Sequence, residues 1–223
     1  MYDYSYIDER YYALTVDANG RDVVEQPNSS DDRIMTVSVP TMLNLACFVQ
    51  HAAGLTSYAG YHVGVPYHWP YHEGGFRGAV DTVTFMDAAY QWPHWWDDLV
   101  NERYNVVTGN LEIPDEEWIH QGLPSSLDPY PALRQAVAMV WPMFWGWWLY
   151  PYVGGKMALE SAVGNSQQLV YNKLQEMAPR RWHWDLVFCP DIRIMRYQAP
   201  DGWGVVHPSD FWRLDWMTPQ AFV

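Results

Sequence analysis

Apolar positions cluster in two long stretches, with shorter alternating runs at either end of the chain. The first stretch, Ile34 to Tyr71, contains no Asp, Glu, Lys or Arg. Within it Met42, Leu45, Ala46, Val49, Ala52 and Ala53 recur at the spacing of one helix face. Ser38-Val-Pro40-Thr41 stands before them as a start signal. The pattern predicts a buried helix over about 40–58. Asn44, Gln50, His51, Thr56 and Ser57 make the run polar for lipid, which leaves a second membrane span over 40–65 as the lesser alternative. Gly60, Gly64, Pro66 and Pro70 then predict irregular chain.

The second stretch is Ala136 to Gly155. Fifteen of its 20 residues are apolar or aromatic and the rest are Gly and Pro. Arg134 and Lys156 bracket it. Twenty residues rising about 1.5 Å each match a hydrocarbon core of roughly 30 Å. Asp128-Pro-Tyr-Pro131 offers a cap and a proline for the first turn. Ala138, Trp141, Trp145, Trp148 and Tyr152 then share one face. The expectation is a transmembrane helix over about 132–155, kinked at Pro142. The competing reading is a helix buried in a protein core. Pro151, which stops the helix early, and tryptophans at mid-helix favour that reading. A mean hydropathy of −0.29 limits the chain to one or two spans.

The remaining runs are short. Tyr11 to Val16 alternates as a strand, Ala18-Asn19-Gly20 signals a turn, and Val23-Val24 could return as a second strand. Asp81 to Val100 reads as one or two short helices. Lys156 to Met177 reads as an amphipathic helix, with Leu159, Val163, Val170, Leu174 and Met177 on one side and Pro179 as its stop. Beyond it come β-like runs at Trp184–Phe188, Ile192–Tyr197 and Trp203–His207, parted by prolines. The expected fold is mainly α with extended irregular arms and few short β segments. Its regions are an acidic, aromatic-rich 1–130, the span at 131–155, and a helix plus Trp-rich tail at 156–223.

Charge sharpens this picture. The 223 residues carry 13 basic and 26 acidic side chains, a net charge of −13. Residues 1–135 hold the whole excess, and residues 156–223 are neutral. Such a field repels phosphates, so nucleic acid is not an expected partner. Aromatics at 17%, with 14 Trp and 16 Tyr, exclude intrinsic disorder. Lys156, Lys173, Arg180 and Arg181 follow the apolar segment, whereas Arg134 alone closely precedes it. The positive-inside rule then puts the C-terminal side in the cytoplasm or matrix and the acidic half outside. The first residues have neither a basic, apolar signal sequence nor an Arg-rich presequence. The tail's five tryptophans lack enough partners of their own and are expected to lie on other subunits. Trp141, Trp145, Trp148, Tyr152, Trp203, Trp212 and Trp216 are thus the expected partner or membrane contacts. Lys156, Arg180 and Arg181 are set to meet anionic lipid heads, which makes a bound phospholipid the ligand this arrangement admits.

Catalytic chemistry is hard to find. Five of the eight histidines lie between residues 51 and 94. Of these His62, His68, His72 and His94 are the weak metal candidates, with Glu73, Asp97 and Asp98 nearby. Pro70 opposes a helix that would align His68 with His72, and no metal-type spacing is present. A Pro/aromatic loop whose rings pack on a neighbour, with the imidazoles as hydrogen-bond donors, is the favoured reading. Cys47 and Cys189 stand apart and form no motif. There is no phosphate-binding glycine motif and no GxSxG. No catalytic residue and no cofactor is expected.

An expected single span, an acidic outer half and Trp/Tyr/Pro-rich arms occur together here. In this the chain resembles the supernumerary subunits of mitochondrial inner-membrane complexes, the respiratory complexes and ATP synthase. The resemblance is one of style over the whole chain. It implies a structural accessory subunit in that membrane, with its acidic half in the intermembrane space and its C-terminal part in the matrix. Its partners would be the other subunits of the complex, and lipid. Two other classes compete: a soluble structural protein of a virion or similar particle, and a metal-dependent enzyme using the 62–94 histidines.

Overall fold

The structure is a computed structural model that describes residues 12–16, 33–52, 55, 81–107, 122–150, 154–161, 181–188, 195–197 and 203–206. It divides into two compact units, one formed by residues 1–8 and 41–157, the other by 9–40 and 158–223. The architecture is mainly helical, with a few short strands.

The helical unit holds α1 (Thr41–Ala52), α2 (Thr82–Val107), a one-turn helix (Ser125–Leu127) and α3 (Pro131–Trp148). The start predicted for α1 is borne out at Thr41, and the helix is shorter than expected, ending at Ala52. Nearly all its side chains are buried, as befits a helix at the centre of a fold. The residues read as one or two short helices form a single helix of 26 residues with Pro93 inside it. Asp81 caps α2: its Oδ1 accepts the N–H groups of Val83 and Thr84, each at 3.0 Å. The Thr84 hydroxyl donates to the other carboxylate oxygen, Asp81 Oδ2, at 2.5 Å. These bonds, the hydroxyl's foremost, hold the Asp81 carboxyl below its ordinary pKa of 3.8.

Pro131 occupies the first turn of α3, as expected. Asp128 is not the cap, however. The cap position is Tyr130, and the Asp128 carboxylate pairs with Arg134. The first turn gains a partner from α2 instead, where Gln91 Oε1 accepts the Leu133 N–H at 2.9 Å.

The transmembrane reading of 132–155 is corrected here. The helix runs 18 residues and stops at Trp148. Pro151 explains the stop, since a proline disfavours helical geometry in the residue before it. No described helix is long and apolar enough to cross a membrane. The face that suggested lipid is not the buried one: Ala138 is exposed and Trp141 and Trp145 are half-buried, whereas Val140, Phe144, Trp147 and Trp148 are buried, with Phe144 and Trp147 against α1. Phe48 stacks on Trp147 with ring centres 5.6 Å apart, and Phe144 stacks on Trp148 at 5.5 Å. Phe48 and Phe144 meet edge to face at 5.4 Å. Gly155 keeps this cluster closed: a Cβ there would lie 2.5 Å from the Trp147 ring. The predicted amphipathic helix has begun by 155 and runs to 161, with Leu159 buried; its remainder to 177 lies outside the described residues.

The second unit contains one five-stranded sheet of order β1-β2-β3-β5-β4. The strands are β1 (Tyr12–Val16), β2 (Arg33–Ser38), β3 (Arg181–Leu186), β4 (Met195–Tyr197) and β5 (Trp203–Val206). β2, β3 and β5 are parallel; β1 and β4 run antiparallel along the two edges. All three β-like runs of the tail thus form strands. The expected return strand at Val23-Val24 lies outside the described residues; β1 pairs with β2.

Candidate functional site

The sheet register brings the most reactive residue types of the described chain together. Ser38, the last residue of β2, lies opposite Asp185 on β3. His183 is two residues before Asp185, so strand alternation puts both on one face. Trp203 on β5 lies opposite His183. These four side chains form one hydrogen-bonded cluster. Ser38 Oγ donates to Asp185 Oδ1. His183 Nε2 stands 3.1 Å from Ser38 Oγ and 3.0 Å from Asp185 Oδ1. Trp203 Nε1 donates to Asp185 Oδ2 at 2.9 Å.

Proton bookkeeping fixes the tautomer. An ionised carboxylate only accepts, and the serine proton already points at it. His183 Nε2 therefore carries hydrogen and donates toward both oxygens, an assignment drawn from the network. Asp185 is thus met by hydroxyl, imidazole and indole donors, which compensates the cost of burying a carboxylate. Ser38 and Asp185 are fully buried and His183 is nearly so.

This cluster differs from a nucleophilic triad in two ways. A catalytic histidine takes the serine proton on one ring nitrogen and meets the acid with the other. Here the same nitrogen faces both groups, and serine is bonded to the acid directly. Nor is Ser38 open to a substrate. The geometry ties β2, β3 and β5 together rather than activating an oxygen. Sequence reasoning missed it because Ser38 and His183 are 145 positions apart. The available signal was the alternation Trp182-His183-Trp184-Asp185, which puts two polar groups on one face of a strand.

The outside of α2 is the other feature with chemical character. Its buried residues, Ala88, Trp95, Trp96, Leu99, Val100 and Arg103, recur along one face. Trp92 Nε1 donates to Ala46 O of α1 at 2.9 Å, and Trp95 Nε1 to Ser126 Oγ at 3.2 Å. The opposite face leaves Val83, Met86 and Tyr90 exposed by 69%, 63% and 73%. Asp87, Asp97, Asp98 and Glu102 are exposed on that same outer side. Asp98 accepts the Tyr130 hydroxyl, and this bond, with some burial and the nearby carboxylates, pushes the phenol up to about 12.

The residues singled out by sequence are scattered. His94 is exposed on α2, its ring edge against Tyr90 at 5.3 Å. No group of three or more His, Cys, Asp or Glu side chains that could hold a metal occurs among the described residues. His62, His68, His72, Tyr152, Arg180, Trp212 and Trp216 lie outside those residues. Trp141 and Trp145 are half-buried and pack edge to face at 5.3 Å, whereas Trp148 is fully buried. Lys156 is half-buried. Arg181 opens β3. Trp203, expected on another subunit, is buried in its own sheet, its indole bonded to Asp185. Cys47 is buried in α1. Comparison with protein-family models, curated proteins and solved structures finds no match.

Proposed function

We propose that this chain is a non-catalytic structural subunit of a larger protein assembly, docking through the outer face of α2. The observation that carries the reading is the row Val83, Met86 and Tyr90, standing open on successive turns of one helix. Single exposed apolar residues are ordinary; a contiguous row on one face is the mark of an interface. The closed geometry of the Ser38–His183–Asp185 cluster supports the same reading, since its hydroxyl is bound to the acid. The inner-membrane complex proposed from sequence style remains one setting for this role. It has lost the support of α3, so attachment there would run through protein contacts.

Native-size separation of gentle extracts from the protein's own cells tests the role. Wild type is expected in a particle well above the 26.0 kDa of the chain. The double variant Met86→Ser/Tyr90→Ser is expected at the size of the chain alone. Wild type migrating as a lone chain, or a variant that stays in the particle, contradicts the reading.

A further inference from the structure

We infer that the segment seated on α2 belongs to a partner protein and is cationic and amphipathic, apolar toward one end and rich in Lys or Arg toward the other. The inference rests on the assembly role and names the chemistry of the docking partner. Along the outer face of α2, apolar side chains occupy the N-terminal part at Val83, Met86 and Tyr90. Carboxylates occupy the C-terminal part at Asp97, Asp98 and Glu102, with Asp87 among the apolar row. Val83 to Glu102 rises roughly 28 Å along the helix, the length of an ordinary docked helix. Apolar contact supplies the adhesion, and the acids set register and orientation.

Charge complementarity selects this occupant over the others. Nucleic acid and anionic lipid surfaces bring phosphates toward a chain whose first 135 residues hold all of its net charge of −13. A second copy laid on this face sets carboxylates against carboxylates if parallel and against the apolar row if antiparallel, and neither is favourable. A cationic segment alone meets both parts of the surface with favourable terms.

The test uses the full chain and a synthetic helical peptide of about 18 residues, roughly 27 Å long, with Leu at core spacing and Lys elsewhere. A companion peptide carries Glu in place of every Lys. Fluorescence anisotropy is expected to show micromolar binding of the Lys peptide, weakening as salt rises from about 0.05 to about 0.5 M. Met86→Ser/Tyr90→Ser and Asp87→Asn/Asp97→Asn/Glu102→Gln are each expected to weaken it about tenfold. These positions are exposed, so circular dichroism should show both variants folded. Equal binding of the Glu peptide, binding that ignores both sets of substitutions, or no binding at all overturns the inference. Those results leave the assembly role standing if the native particle still loses the Met86→Ser/Tyr90→Ser variant; failure of both refutes the assembly role itself.

Discussion

Replacing Gly204 by alanine tests the packing of the sheet at its tightest point. Trp184 on β3 lies opposite Gly204 on β5, and its indole crosses the glycine. A Cβ at 204 would fall 2.9 Å from Trp184 Cε3 and closer still to Cζ3. Real carbon contacts do not go below 3.0 Å, so ring or strand has to move. Trp184 is 1% exposed and has no open side to turn toward. Overpacking of this kind costs about 1–3 kcal/mol. For a chain of this length each kcal/mol moves the midpoint by about 2–4 °C. Calorimetry or denaturant unfolding of Gly204→Ala reads the loss. A second background separates steric conflict from a general effect on the strand. In Trp184→Leu the indole is gone, and the added methyl should cost less than about 0.5 kcal/mol or help slightly by restricting the unfolded chain. An equal cost in both backgrounds, or none in either, refutes the parallel β3–β5 register and the burial of Trp184 against β5.

Other consequences are as direct. Asp185→Leu removes the carboxylate that accepts from Ser38 and Trp203, leaves His183 its contact with Ser38, and should cost about 3 kcal/mol by chemical unfolding, whereas Ser38→Ala, which removes a donor along with its hydrogen bond, should cost about 1 kcal/mol. Phe144→Ala empties the centre of the aromatic cluster and should cost about 3–5 kcal/mol, while Met139→Ala, 38% exposed on the same helix, stays within about 0.5 kcal/mol. Asp81 has a lowered pKa in the fold, so its capping contribution is present above the unfolded value of 3.8 and disappears as pH falls through the folded value. Protection factors at Val83 and Thr84, taken against the intrinsic exchange rate at each pH, should therefore fall in acid and be low at every pH in Asp81→Ala. Tyr130 behaves oppositely. Its bond to Asp98 stabilises the fold below the unfolded value of 10.0 and is lost as pH climbs toward about 12, so spectrophotometric titration should find a late-ionising phenol that Tyr130→Phe removes.

The helix starts were legible because capping and proline chemistry are local. Thr41 after Pro40 and Pro131 before an apolar run both mark true first turns. The nature of α3 was not legible. Phe144, Trp147 and Trp148 carry the same hydropathy whether lipid or Phe48 covers them, and the deciding contact lies almost a hundred residues away. β2 escaped for a related reason: Ile34 to Ser38 is uncharged like the helix that follows, and a buried strand and a buried helix share that look. Trp203 misled in the opposite sense. The tail seemed too short to bury its own rings, but β2 from the other end of the chain closes the sheet over β3. The Ser38–His183–Asp185 cluster depends on that same long-range pairing. The outer face of α2 needed burial to be seen, because Val83, Met86 and Tyr90 have the spacing of a core face until Trp95, Leu99 and Val100 are found holding the other side.

The docking role of α2 is tested most directly by photocross-linking in the protein's own cells, with benzoylphenylalanine placed at Tyr90 in one strain and at exposed Ser125 in another. The account predicts a discrete protein adduct from position 90, rich in Lys and Arg at the linked segment, and none from position 125. No adduct at 90, or the same adducts from both positions, would contradict it.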